Sequence, residues 1–169
     1  MLSQEQKEHF MYEAIKEAKK AEAKNEVPIG AVVVLNNEII GRGYNQRETN
    51  QQAAAHAEMI AIEAANRHLG NWRLEDCQLF VTLEPCPMCS GAIILSRIKE
   101  VYYGPSDLKA GAAGTLMNLL EDNRLNHQAE VERGLLEEEC RELLTSFFKA
   151  LRERKKLEKE QKNSVIDKI

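Results

Sequence analysis

From Phe10 the apolar residues recur at Met11, Ala14, Ile15, Ala18 and Ala21, the spacing of one face of an α-helix. Ser3 and Gln6 stand at capping-box spacing just upstream, so a helix is expected over about residues 3–24. Val27-Pro28-Ile29-Gly30 breaks that period. Residues 31–35 form a short valine-rich run, and Asn36-Asn37 tolerates the positive φ of a tight turn. Residues 38–43 then return, so the pattern predicts an antiparallel hairpin. Residues 44–53 are polar and loop-like. Helical spacing resumes over about residues 54–69, through Met59, Ile60, Ala61, Ala64 and Ala65, with Gly70 as its stop.

Residues 78–83 read as the next strand, ended by Pro85. Residues 86–96 read as a second short helix, where Pro87 is tolerated because an early helical N–H has no partner to lose. A fourth strand follows at 100–104, a small-residue loop at 105–114, a short helix at about 115–121 and a fifth strand at 128–132. The last long helix is expected from Leu136 to about Lys156, with residues 157–169 as a frayed tail. A hairpin followed by strands alternating with helices implies an α/β protein. The expected architecture is a three-layer α/β/α sandwich around a central mixed five-stranded sheet, in one domain over residues 1–156.

Composition narrows the setting. At 169 residues and 43% hydrophobic the chain can bury a single core. No apolar run approaches the roughly 18 residues of a membrane span, so no membrane partner is expected. Met1-Leu2-Ser3-Gln4-Glu5 carries neither an apolar core nor a basic leader, so the expected compartment is the cytoplasm. In that reducing setting a C-x-x-C pair points to metal or redox chemistry more than to a disulfide. A net charge of −4 argues against a surface coated in positive charge. Residues 141–162, however, hold eight Lys/Arg against four Asp/Glu, a local +4 that leaves −8 for the remainder. Local charge is what matters for binding phosphates.

Two short stretches carry the chemistry: His56-Ala57-Glu58 and Pro85-Cys86-Pro87-Met88-Cys89. His56, Cys86 and Cys89 are good zinc ligands, and Glu58 is a carboxylate two residues from the histidine. Catalytic zinc sites use three protein ligands and leave a position for water, whereas structural sites close with four. Each half is expected at a helix start, where partial positive charge favours the thiolate that binds metal. Cys86 and Cys89 are three apart and share a helical turn. His56 and Glu58 are two apart and can converge only at a helix end. With zinc-bound hydroxide as attacking group and Glu58 as catalytic proton shuttle, the set would exchange an amino group for a carbonyl. H-x-E followed by P-C-x-x-C is the general signature of zinc nucleobase deaminases.

The chain resembles the cytidine-deaminase-like zinc enzymes, and within them the bacterial tRNA adenosine deaminases. The resemblance covers about residues 10–156. It rests on Glu26-Val27-Pro28-Ile29-Gly30-Ala31-Val32, Ala55-His56-Ala57-Glu58, Asn71-Trp72-Arg73-Leu74, Thr82-Leu83-Glu84-Pro85-Cys86 and the run from Gly111 to Asn118. It implies one Zn²⁺ per subunit, a homodimer with active sites near the subunit interface, and conversion of the wobble adenosine (position 34) of an arginine tRNA with anticodon ACG to inosine. The partner implied is that tRNA's anticodon stem-loop, with its bases splayed out and the target base over zinc. The chain departs from many relatives at residues 50–55, which lack a proline and threonine, and at Pro105-Ser106-Asp107.

Further residues carry a functional and a plain reading side by side. Asn45 matches the family's substrate-contacting asparagine, or closes the hairpin as a turn residue. Asp107 could meet a flanking sugar hydroxyl or cap its own loop. Val27 could line the base pocket or the core. Phe147 and Phe148 must point to different sides of one helix, so one is expected in the core and Phe148 is the candidate to stack on an unpaired base. Arg152, Arg154, Lys155 and Lys156 either contact RNA or solvate a helix end. Cys77 and Cys140 read as buried small residues, His9, His68 and His127 as structural, and Trp72 as an anchor beneath the sheet edge. Two rival functions share the motif. One is a deaminase of a free base or nucleotide such as guanine, cytidine or deoxycytidylate. The other is a non-catalytic, zinc-stabilised RNA-binding module, which needs a fourth ligand from Cys77 or Cys140.

Overall fold

A computed structural model describes residues 1–166 of the chain. In order, the elements are α1 (Gln4–Ala23), β1 (Gly30–Leu35), β2 (Glu38–Tyr44), α2 (Arg47–Asn50), α3 (Ala57–Leu69), β3 (Gln78–Val81), α4 (Pro87–Ser96), β4 (Glu100–Tyr103), β5 (Glu130–Arg133) and α5 (Glu137–Ile166). The five strands form one sheet in the order β2-β1-β3-β4-β5. β1 pairs antiparallel with β2 and β3, whereas β3–β4 and β4–β5 are parallel, so the sheet is mixed.

Alternation along the strands sorts the two faces. Val32 and Val34 of β1, with Phe80 and Tyr102, meet Phe10, Met11, Ala14 and Ile15 of α1 and Cys140 of α5. Ala31 and Val33, with Leu79, Val81, Val101 and Tyr103, meet Ala57, Ala61 and Ala65 of α3 and Ile93 and Ile94 of α4. The result is the expected three-layer α/β/α sandwich. Local signals behaved as elementary rules require. Ser3 and Gln6 close a reciprocal capping box at the start of α1. Asn36 and Asn37 both take positive φ in the hairpin turn, and Gly70 ends α3 in the left-handed conformation.

Three expectations need correction. Residues 115–121 form no helix; Thr115 gives both its N–H and its hydroxyl to Glu84, Gly114 N–H bonds Met117 O at 2.9 Å, and Ala113 bridges Asn118. Leu119 N–H, which a helix here would give to Thr115 O, instead bonds Ala112 O at 2.9 Å, so the backbone closes a turn and builds no helical ladder. The polar loop at 44–53 contains the short helix α2. The last helix does not stop near Lys156 but continues to Ile166 through Leu157-Glu158-Lys159-Glu160-Gln161-Lys162, all good helix formers with no breaker among them. The final three residues of the expected frayed tail lie outside the described residues. No helix among the described residues is long and apolar enough to cross a membrane.

Candidate active site

Both halves of the motif sit where a helix begins. His56 is the N-cap residue of α3 and Cys86 that of α4, each with extended backbone and neither capping its helix through its side chain. Free N–H groups and the positive end of each helix dipole therefore lie at the ligands. Pro87 follows Cys86 at the first turn of α4, and Cys89 lies three residues on. The seat of α3 is set from beneath. A Cβ on Gly43 would stand 2.3 Å from Ala57 O, and one on Gly41 2.3 Å from Ala61 O, so α3 rides directly on the backbone of β2.

This brings the three ligand residues together. His56 Nδ1 lies 3.6 Å from Cys86 Sγ and 3.5 Å from Cys89 Sγ. All three ligand atoms fall within 4.8 Å of one another. A tetrahedral ion with Zn–N of about 2.0–2.1 Å and Zn–S of about 2.3 Å holds N and S about 3.5 Å apart, so the trio has the spacing of a zinc cradle. The cluster has three protein ligands among the described residues. Cys77 and Cys140 are buried as expected, in the cores on opposite faces of the sheet, and supply no fourth ligand. Three is the ligand count of a catalytic site, and it removes the basis of the non-catalytic scaffold reading.

Without a metal, the three ligand residues share protons that a bound cation would displace. The hydrogen bond from the Cys89 thiol, reinforced by His56, holds Cys86 down at about 4, so Cys86 is a thiolate at neutral pH. Its contact with Cys86 pushes His56 up, and donation to Cys86 together with burial pushes Cys89 up, so binding a metal there releases protons. Glu58 is buried, and burial pushes its carboxyl up to about 7. A carboxyl poised there exchanges protons readily near neutral pH; a bound dication would draw it lower again. The two-residue spacing of His56 and Glu58, awkward on a helix interior, works because His56 is still outside the helix and Glu58 is at its second position.

Above these residues opens a cavity of about 530 Å³, well inside the range of small-molecule sites. His56, Glu58 and Cys86 line it, and so do all four substrate candidates: Val27, Asn45, Asp107 and Phe148. Phe148 is 41% exposed and faces the cavity, while its neighbour Phe147 is 8% exposed, so the two split between mouth and core as expected. Asn45 and Asp107 are each engaged locally. Asn45 Oδ1 accepts from Arg47 N–H at 3.2 Å and its amide donates to Val27 O at 3.3 Å. Asp107 Oδ1 accepts from the N–H groups of Lys109 and Ala110 at 2.9 and 3.2 Å. Both therefore shape their loops while standing at the cavity wall.

Arg47, Leu108, Lys109 and Leu144 also line the cavity and were not singled out from sequence. Leu144 stands one turn before Phe148, a signal the spacing did contain; Arg47 and Lys109 carry no such spacing signal. His127 is structural, its Nε2 lying 2.7 Å from Ile98 O. Trp72 corrects an expectation: it is not beneath the sheet edge but exposed, with the Arg73 guanidinium 4.5 Å from its ring centre.

Comparison with known proteins agrees with this geometry. Residues 4–105 match the cytidine and deoxycytidylate deaminase zinc-binding region. The chain is 61% identical to the tRNA-specific adenosine deaminase of Bacillus subtilis (strain 168) over 151 residues, covering 89% of this chain and 94% of the relative. A solved structure from a study of A-to-I editing by tRNA:A34 deaminases at the wobble position superposes with a TM-score of 0.78 at 42% identity, covering 80% of this chain and 99% of that one. The guanine deaminase of Bacillus subtilis also superposes, with a TM-score of 0.58 at 40% identity over 64% of this chain and 69% of that one. On the family match, the identity and the shared fold, the chain belongs to the tRNA-specific adenosine deaminases, within the cytidine and deoxycytidylate deaminase zinc enzymes.

Proposed function

We propose that this chain hydrolyses the wobble adenosine, position 34, of tRNA-Arg(ACG) to inosine and ammonia, in the cytoplasm and as a homodimer. The observation that carries the reading is a cavity lined by Glu58 and by His56 and Cys86 of the three-ligand cluster, with an exposed aromatic, Phe148, on the same wall. Relatives of known activity act on adenosine in tRNA.

His56, Cys86 and Cys89 would hold the zinc. When bound, zinc lowers the pKa of water toward neutrality and so makes it a nucleophile. Glu58 would accept a proton from the attacking water and pass it to the ring nitrogen beside C6 as the C–O bond forms. It then moves a second proton to the amino group, which leaves as ammonia. Water is consumed, the C6–N bond breaks, and C6 keeps the carbonyl oxygen. Burial of Glu58 keeps bulk water from short-circuiting these transfers.

Phe148 at the mouth offers a ring on which an unpaired base can stack, and Arg47, Lys109 and Arg152 lie exposed around the two adjoining cavities. A free base needs neither feature. The test is deamination of an arginine anticodon stem-loop with adenosine at the wobble position, beside free adenosine, cytidine and guanine. Inosine in the RNA alone is the expected result. Turnover of guanine or cytidine with the RNA untouched would transfer the same chemistry to a small substrate, as in the superposing guanine deaminase. Sedimentation of the active enzyme at twice the chain mass is expected for the homodimer, and a lone active chain would overturn it.

A further inference from the structure

Two of the buried carboxylates outside the zinc cluster adjoin the cavity loops yet have no part in the chemistry above. Glu26 is 1% exposed and Glu84 2% exposed. Leaving a carboxylate so far from water is costly unless its oxygens are met by donors. Both are met, and in each case the donors belong to a loop that lines the cavity.

Glu26, in the turn between α1 and β1, reaches the start of α2. Its Oε1 accepts from Glu48 N–H and its Oε2 from Thr49 N–H, each at 3.0 Å. Gln46, the N-cap residue of α2, makes no side-chain cap, so a carboxylate 20 residues away in sequence does that work. The loop thus held carries Asn45 and Arg47 to the cavity wall. Glu84, just after β3, does the same on the other side. Its Oε1 accepts from Asp107 N–H at 3.3 Å and from the Thr115 hydroxyl; its Oε2 accepts from Ala113 N–H at 3.1 Å and Thr115 N–H at 3.2 Å. The segment between those donors carries Asp107, Leu108, Lys109 and Ala110 to the cavity. Gly111 lets it close in: a Cβ there would lie 2.2 Å from Glu84 Oε2.

We propose that Glu26 and Glu84 are paired positioning residues, each gripping by its backbone amides one of the two loops that wall the cavity, so that the walls stand in place before RNA arrives. The inference deepens the RNA reading and rests on it for its kinetic test. Backbone amides are the natural handle, because a grip on the main chain sets a loop's path whatever side chains it presents. Preset walls spare the ordering cost that floppy loops would charge against binding. Each carboxylate adjoins a chemical landmark: Glu26 precedes Val27 of the cavity wall, and Glu84 is two residues before the ligand Cys86. The loops are thereby referenced to the base pocket on one side and to the metal cluster on the other.

The test uses zinc-loaded full-length enzyme and the arginine anticodon stem-loop. Glu26→Gln and Glu84→Gln keep the shape of each side chain but replace one acceptor oxygen with a donor NH₂ that faces N–H groups. In each variant KM for the stem-loop is expected to rise about tenfold or more, while kcat stays within about threefold and zinc stays at one per chain. Amide hydrogen exchange should quicken at Glu48 and Thr49 only in the first variant, and at Asp107, Ala113 and Thr115 only in the second. A fall in kcat at unchanged KM, or quickened exchange with both constants unchanged, would overturn the inference. Should a variant fail to fold, the wild-type enzyme decides: those five amides are expected to be protected without RNA, and protection that arises only with RNA would overturn it. A wild-type enzyme inactive on the stem-loop would instead defeat the substrate reading, and the exchange pattern would still judge the two grips.

Discussion

Phe147 and Phe148 are adjacent, chemically identical and in T-shaped contact at 5.4 Å, yet they should answer to different experiments. Phe147 is buried, so Phe147→Ala should cost about 3 kcal/mol of stability in urea denaturation, the low end of the range for a lost core phenylalanine. Phe148→Ala should leave the denaturation midpoint almost unchanged. It should weaken stem-loop binding by about 1–3 kcal/mol, read as a raised KM, if an RNA base stacks there. The cysteines divide in the same way. Burial pushes the Cys77 and Cys140 thiols up to about 11 and about 12. A raised thiol pKa means the neutral thiol persists as pH climbs, and the thiol is the unreactive form. Iodoacetamide at pH 8 should therefore leave both unmodified in the folded enzyme, and both should label once denaturant unfolds it; labelling in the native state, seen by peptide mass, would contradict their burial.

At the scale of elements, the catalytic face depends on how closely α3 lies on β2. Gly43→Ala would drive a methyl group to 2.3 Å from Ala57 O, at the first residue of the helix that carries Glu58. Either the helix lifts or the strand bends. The expected outcome is a loss of about 1–3 kcal/mol in stability and weaker retention of zinc against a chelator, since His56 moves with the helix. Unchanged zinc retention in a destabilised variant would mean that the ligands follow the loop before α3 instead. The elements themselves were largely legible in sequence because their signals are local: a 3.6-residue period in α1, paired asparagines in the hairpin turn, Gly70 after α3. The segment at 115–121 was not legible, because its conformation is set by Glu84, some thirty residues away in sequence. The same holds for α2, whose N-terminal cap comes from Glu26. The metal ligands could be named from spacing alone; that His56 turns its Nδ1 toward both thiols could not, since it depends on how the sheet brings α3 and α4 together.

The whole molecule is acidic, with a net charge of −4, yet Arg47 and Lys109 line its cavity, Arg152 lines the adjoining one, and α5 carries further basic residues beyond them. RNA attraction should therefore be local and sensitive to salt. KM for the stem-loop is expected to rise steeply with NaCl, and kcat at saturating RNA to hold. A KM indifferent to salt would remove the basic helix from the binding account. The central claim is that a buried carboxylate moves protons beside a three-ligand zinc cluster, and Glu58→Gln tests it most directly when zinc content and inosine formation on the arginine stem-loop are measured on the same sample. The account predicts one zinc per chain, a folded protein and a loss of turnover of roughly a hundredfold or more. A variant that keeps its zinc and still forms inosine at the wild-type rate would contradict it.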